Sequence, residues 1–120
     1  MHELKRTYRF EAAHRLPRVS LDHPCHRMHG HSYRLDIQVT GEPDSELGWV
    51  LDYAVIDTAI EPLIQQLDHQ CLNDIGGLEN PTSEILAEWV WARAYSDLPG
   101  LSAVAVWETV DACAIYRGPQ

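Results

Sequence analysis

From His29 to Thr40 the chain alternates without a break: Tyr33, Leu35, Ile37 and Val39 take every second position, and Arg34, Asp36, Gln38 and Thr40 fill the others. A period of two puts successive side chains on opposite faces of a strand, so this run must be a long strand with one face buried. The same strand begins with His29 and His31. Two residues apart, their imidazoles leave the backbone on the same side and can converge on one metal ion. Gly30 between them has no side chain, so something can approach the backbone closely there.

His29 and His31 belong to the segment Pro24-Cys25-His26-Arg27-Met28-His29-Gly30-His31. It places one thiol and three imidazoles within eight residues. His14, closing Phe10-Glu11-Ala12-Ala13-His14, is the natural third ligand. Three neutral ligands leave a fourth position open, as catalytic rather than structural zinc does. Cys25 sits one short step upstream, near such a metal and not on it. The alternative is a His-rich surface loop that binds metal adventitiously.

Strand signals continue around this segment. Leu4 to His14 reads as a first strand, ended by Arg15-Leu16-Pro17, and residues 17–28 as an irregular loop. Leu47 to Leu51 is expected to return as a strand after the turn Gly41-Glu42-Pro43-Asp44-Ser45. Asp52 caps a helix whose stripe is Val55, Ile56, Ala59, Ile60, Leu63, Ile64 and Leu67, with Pro62 expected to kink or break it. Asn80-Pro81 starts a second helix, with Asn at the cap and Pro at the first helical position. Asp97-Leu98-Pro99-Gly100 stops it. Leu101 to Glu108 and Ala112 to Arg117 are further strands. The order is α+β: an antiparallel sheet with two helices, in a single domain spanning 1–120.

Charge is unevenly spread. Residues 1–36 carry seven basic and four acidic side chains, and residues 37–120 carry two and fourteen. The net charge of −9 speaks against nucleic-acid binding. A small anionic substrate can still be steered to the basic third that holds the His cluster, with Arg15 and Arg27 as candidates to meet it. The rival explanation for the basic third is solvated strand edges. Three cysteines without paired spacing argue for a reducing compartment and a cytoplasmic protein, and no window approaches the length of a membrane span.

Several blocks carry a family resemblance: Phe10-Glu11-Ala12-Ala13-His14; Cys25, separated by three residues from His29-Gly30-His31; Leu67-Asp68-His69 with Leu72-Asn73; Asn80-Pro81-Thr82-Ser83-Glu84; and Val106-Trp107-Glu108-Thr109 with Tyr116. Together they resemble the 6-pyruvoyl-tetrahydropterin synthase superfamily, and most closely its bacterial 6-carboxytetrahydropterin synthase branch. One departure is Ile85, where the family often has Asn. The resemblance implies a tunnelling fold, in which subunits join their sheets into a barrel with helices outside, and a homohexamer of two trimers. It implies Zn2+ on His14, His29 and His31. It also implies a lyase that converts 7,8-dihydroneopterin triphosphate to 6-carboxy-5,6,7,8-tetrahydropterin, acetaldehyde and triphosphate, in queuosine (7-deazaguanine) biosynthesis.

By the same resemblance Cys25 is the general base, and His69 held by Asp68 is a second proton carrier. Glu108 grips the guanidine-like edge of the pterin. Thr82, Ser83 and Glu84 complete the pterin pocket, in a neighbouring subunit. Taken without the family, His69 would be a helix-terminal imidazole satisfying loose carbonyls, and Glu84 a favourable charge in a first helical turn. Two alternatives stand beside the lyase. One is 6-pyruvoyl-tetrahydropterin synthase proper, where the Cys usually stands further from the His pair. The other is a non-catalytic pterin- or metal-binding module, which would have no need of Cys25, Asp68 and His69.

Overall fold

A computed structural model describes residues 1–120. Its backbone is a long β-ribbon with helices laid along one side. Strand β1 (His2–His14) pairs antiparallel with β2 (His29–Gly41), in register from His2 opposite Gly41 to His14 opposite His29. Thirteen residues at about 3.4 Å each give a ribbon of roughly 44 Å, which sets the long axis of a molecule measuring 57 × 27 × 25 Å. Strand β4 (Leu101–Thr109) pairs antiparallel with β2, and β5 (Ala112–Tyr116) with β4. A two-residue strand, β3 (Gln70–Cys71), joins the other edge parallel to β1, giving the order β3-β1-β2-β4-β5. Nothing in two residues carries a period, so β3 was not foreseen.

Helices α1 (Tyr53–Leu67) and α2 (Ser83–Ala94) cover one face of this sheet. The alternation in β2 supplies Tyr33, Leu35, Ile37 and Val39 to that face, and α1 answers with Ile56, Ile60, Leu63 and Leu67. Leu86, Trp89 and Val90 of α2 and Val104 and Val106 of β4 complete the layer. Each fully buried aliphatic side chain stabilises the fold by roughly 1.5–3 kcal/mol. Ile60→Ala, at a position with no exposed surface, would cost about 2–5 kcal/mol. No helix is long and apolar enough to cross a membrane.

Asp52 caps α1 as its sequence predicts, its Oδ1 accepting from the Ala54 amide at 2.9 Å. Pro62 does not break the helix, which runs unbroken through it. The carbonyl that loses its donor there belongs to Thr58, and both residues face solvent, where water replaces the missing bond.

Two further expectations fail, each because of a hydrogen bond. Leu47 to Leu51 is not a strand. Asp44 gathers the segment into a turn: its Oδ1 accepts from the amides of Glu46 and Leu47 at 2.8 and 2.9 Å, and its own amide donates to the Trp49 carbonyl at 2.8 Å. Gly48 supplies the φ of +79° that this turn needs. Helix α2 is capped by Thr82, not Asn80, with the Thr82 hydroxyl accepting from the Ile85 amide at 3.1 Å. The helix starts two residues late because the Pro81 carbonyl is committed elsewhere, to His14.

Candidate active site

The β1–β2 register assembles the centre of the site. His14 stands opposite His29, and Ala12 opposite His31, so all three imidazoles leave the helix-covered face at one end of the ribbon. Their ring centroids form a near-equilateral triangle of 4.6, 4.9 and 5.0 Å. Outer contacts fix how each ring presents its nitrogens. His14 Nδ1 lies 2.9 Å from the Pro81 carbonyl, and His29 Nδ1 lies 2.7 Å from the Arg27 carbonyl. A carbonyl only accepts, so Nδ1 carries the proton in both rings and Nε2 keeps its lone pair.

Glu108, near the end of β4, brings a carboxylate to the same face. Its Oε1 stands 2.9 Å from His31 Nε2 and 3.9 Å from His14 Nε2. One ligand atom from each of His14, His29, His31 and Glu108 lies within 4.8 Å of the others. Sequence reasoning had not placed Glu108 among these imidazoles. The signal was present only as a parity: Val104, Val106 and Glu108 share a strand face. His14 is fully buried, and burial pushes its pKa below the ordinary imidazole range, offset in part by the Pro81 bond and by Glu108. His31 is lowered too, by burial, with Glu108 opposing and His29 adding. Neutral imidazoles are what a cation requires of its ligands. His31 Nε2 is also the one buried side-chain nitrogen with no hydrogen-bond partner. Three imidazole nitrogens beside a carboxylate, one of them buried and without a hydrogen-bond partner, fit a divalent ion such as zinc.

Around this centre the other predicted residues take distinct places. The Ser83 hydroxyl donates to Glu108 Oε2 at 3.0 Å, within one chain. Thr82 is spent on capping α2, and Glu84 is exposed beside Ser83 and Glu108 in a shallow pocket of about 300 Å³. Cys113 is exposed and lines that same pocket. On the far side, His69 and His31 line a second pocket of about 510 Å³, with Gly30 and Cys71. Asp68 Oδ2 stands 3.0 Å from His69 Nδ1, and Asp68 Oδ1 accepts from the Glu11 amide at 2.9 Å. Those bonds hold the Asp68 carboxyl below the usual carboxylate range. His69 adopts φ +59°, rare for a residue with a side chain. Its amide donates to the Glu11 carbonyl at 2.6 Å, so both polar groups of the Glu11 backbone clamp the Asp68-His69 pair. The imidazole is thus tied to its own neighbour and the His69 backbone to a strand edge, with no loose helix carbonyls involved.

Cys25 lies in a single 3-10 turn, Pro24–His26. It is half-buried and is not among the four residues grouped above. Asn73, unassigned from sequence, accepts from the Arg15 amide at 3.0 Å and donates to the Arg15 carbonyl at 2.8 Å, fixing the exit of β1 just after His14.

Comparison with known proteins places this arrangement. The profile of the family described as 6-pyruvoyl tetrahydropterin synthase matches residues 3–119. The chain belongs to that family. It is 41% identical over 119 residues to the 6-carboxy-5,6,7,8-tetrahydropterin synthase of Synechocystis sp., covering 94% of this chain and 91% of that protein. It is 32% identical to the dihydroneopterin monophosphate aldolase of Pyrococcus furiosus, over 82% of each chain. Among solved structures, Caenorhabditis elegans 6-pyruvoyl tetrahydropterin synthase superposes with a TM-score of 0.90 at 26% identity, covering 98% of this chain and 96% of that one. The two-helix, mostly antiparallel α+β fold is therefore the family's own.

Proposed function

We propose that this protein is a zinc-dependent lyase, one domain over residues 1–120, that converts 7,8-dihydroneopterin triphosphate to 6-carboxy-5,6,7,8-tetrahydropterin, acetaldehyde and triphosphate. Atom balance requires water as co-substrate. The observation that carries this reading is the triangle of His14, His29 and His31 beside Glu108, in a chain 41% identical to a protein of that name. The reading extends to a place in queuosine (7-deazaguanine) biosynthesis in the cytoplasm.

His14, His29 and His31 would hold the zinc, which when bound acidifies hydroxyls and stabilises negative charge on the substrate's side-chain oxygens. The protein's own groups do the rest. Glu108, kept in place by the Ser83 hydroxyl, accepts paired donors from the pterin ring and orients it. Cys25 as thiolate removes a proton from side-chain carbon. His69, with Nδ1 held by Asp68, presents Nε2 to carry a second proton. Its pocket is shared with His31, so that proton need not travel far. Three residues separate Cys25 from His29. In the family this short spacing goes with side-chain cleavage, and a longer one with the intact pyruvoyl product.

The proposal includes a homohexamer of two trimers. A Cα radius of gyration of 15.4 Å exceeds the roughly 13.6 Å of a compact chain this long. The sheet also leaves one face without helices and the outer edge of β5 unpaired. An open edge is a template for another chain, which suits barrel closure by association.

Incubation with 7,8-dihydroneopterin triphosphate tests the reaction. Trapping the aldehyde as a hydrazone and weighing the pterin should give acetaldehyde and 6-carboxytetrahydropterin. Accumulation of 6-pyruvoyl-tetrahydropterin without aldehyde would favour the synthase alternative. A hydroxylated two-carbon aldehyde would point to aldolase chemistry, and no turnover to a binding module.

A further inference from the structure

The loop between β1 and β2 holds few backbone hydrogen bonds, yet it fixes Cys25 at both main-chain groups. The Cys25 carbonyl accepts from the Leu16 amide at 2.7 Å. The Cys25 amide donates to Nδ1 of His23 at 3.0 Å. His23 is the N-cap of the 3-10 turn, in extended conformation at φ −74°, ψ 133°. Pro24 follows at the first turn position and has no N–H to offer. The Cys25 amide is then the first donor of the turn that needs an acceptor, and a side chain at the cap is where turns supply one. Ser, Thr, Asp and Asn usually fill that role. Here an imidazole nitrogen does, at the same number of bonds from the backbone as the Oδ1 of Asn. The His23 carbonyl also accepts from the His26 amide at 3.0 Å, so one residue closes the turn from both its ring and its backbone. The Cys25 thiol takes part in none of these contacts.

We infer that His23 is a positioning residue for the Cys25 thiol: its Nδ1 caps the turn and fixes the direction in which Cys25 enters the site. This rests on the reading of Cys25 as the base. A residue acting this way alters how often the thiol is in place, not what the thiol or the metal does. A free His23 Nδ1 lone pair is required, so the neutral ring caps with its proton on Nε2.

Amide hydrogen exchange and steady-state kinetics on the zinc-loaded protein test it. In His23→Ala, exchange at the Cys25 amide should quicken by about fivefold or more, the scale of a lost cap. The same variant should lose about fivefold in kcat, with KM, zinc content and thermal midpoint held. His23→Asn restores the acceptor and should return both exchange and kcat to wild-type values. Unchanged exchange in His23→Ala would overturn the cap. A His23→Asn variant as slow as His23→Ala would overturn it too, since the ring would then do more than accept a bond. If His23→Ala loses its metal or its fold, His23→Asn decides alone: wild-type protection and kcat uphold the inference, and loss of either refutes it. Cys25→Ala separates the underlying reading. Retained turnover there would remove Cys25 as the base, while the exchange data would still report on the turn.

Discussion

Glu108 Oε1 stands 2.9 Å from His31 Nε2, yet that nitrogen makes no hydrogen bond. A short distance alone does not make a hydrogen bond, because the N–H must also aim at the oxygen. With no proton aimed at the carboxylate, the His31 nitrogen has no partner and its lone pair is free for a cation. His14 and His29, whose Nδ1 atoms are occupied by backbone carbonyls, complete that setting.

The first prediction is one zinc per chain, with loss of zinc in His29→Ala. Removal of a residue that touches the metal should lower zinc affinity by more than the roughly 10- to 100-fold seen when only a group bonded to such a residue is lost. Elemental analysis after dialysis measures it. A ligand that binds only the folded state raises the thermal midpoint, so a chelator should lower the midpoint of the wild-type protein and leave that of His29→Ala unmoved. Full zinc occupancy in the variant would break the assignment.

Glu108→Gln should separate pterin binding from metal binding. The amide keeps the shape and an acceptor for Ser83 but loses the charge. A hydrogen bond to a charged group contributes about 1.5–3 kcal/mol, so pterin affinity should fall on the order of tenfold to a hundredfold. Zinc affinity should fall far less than in His29→Ala. Titration calorimetry with a pterin ligand and with zinc gives both numbers. An equal fall in zinc affinity would instead make Glu108 a ligand.

Much of this site was legible in the chain, for physical reasons that can be named. The period-two run of β2 fixed which face His29 and His31 share, because a slip of one residue would turn Leu35 and Ile37 to solvent. Asp52 announced α1 because its short side chain has few better uses than a cap. Most of what stayed hidden depends on partners distant in sequence. The register that sets His14 against His29 is a property of two strands together. The Pro81 carbonyl is taken by a ring 67 residues away, and this moved the start of α2 beyond what Asn80-Pro81 suggests. Leu47, Trp49, Val50 and Leu51 look like a strand until Asp44 is seen to claim the amides of the turn. The Ser83 to Glu108 bond joins a helix start to a strand end, and no local pattern carries it.

The third prediction concerns assembly. Light scattering should report about 82 kDa, six copies of a 13.6 kDa chain closed by symmetry. A mass near half of that would indicate the trimer alone. A monomer with full activity would contradict the proposal, since the open sheet face and the unpaired β5 edge would then have no partner.

The last prediction tests the sheet face opposite the helices. Asp36 points there and is only 4% exposed. It accepts from the Thr7 hydroxyl at 2.7 Å, from Trp107 Nε1 at 2.9 Å and from Arg34 Nη2 at 2.9 Å. Burial pushes the Asp36 carboxyl up, but the bonds from Arg34, Thr7 and Trp107 outweigh it and hold the pKa below the ordinary value. Thr7→Val keeps the branched shape and removes one donor, which should cost about 1–2 kcal/mol at neutral pH. The pH dependence follows from the sign. A carboxyl whose folded pKa lies below its unfolded value of about 3.9 contributes stability that is complete above that value. The contribution is lost as pH falls through the folded pKa. With one donor gone, the folded pKa of Asp36 rises towards the unfolded one, so less stability remains to be lost. Thr7→Val should therefore be weaker than wild type at pH 7, and the gap should narrow below about pH 4. Urea unfolding followed by circular dichroism at fixed protein concentration, at pH 7 and at pH 3.5, measures both. A gap that stays constant between the two pH values would show that Thr7 stabilises the sheet by packing and not through the Asp36 carboxylate.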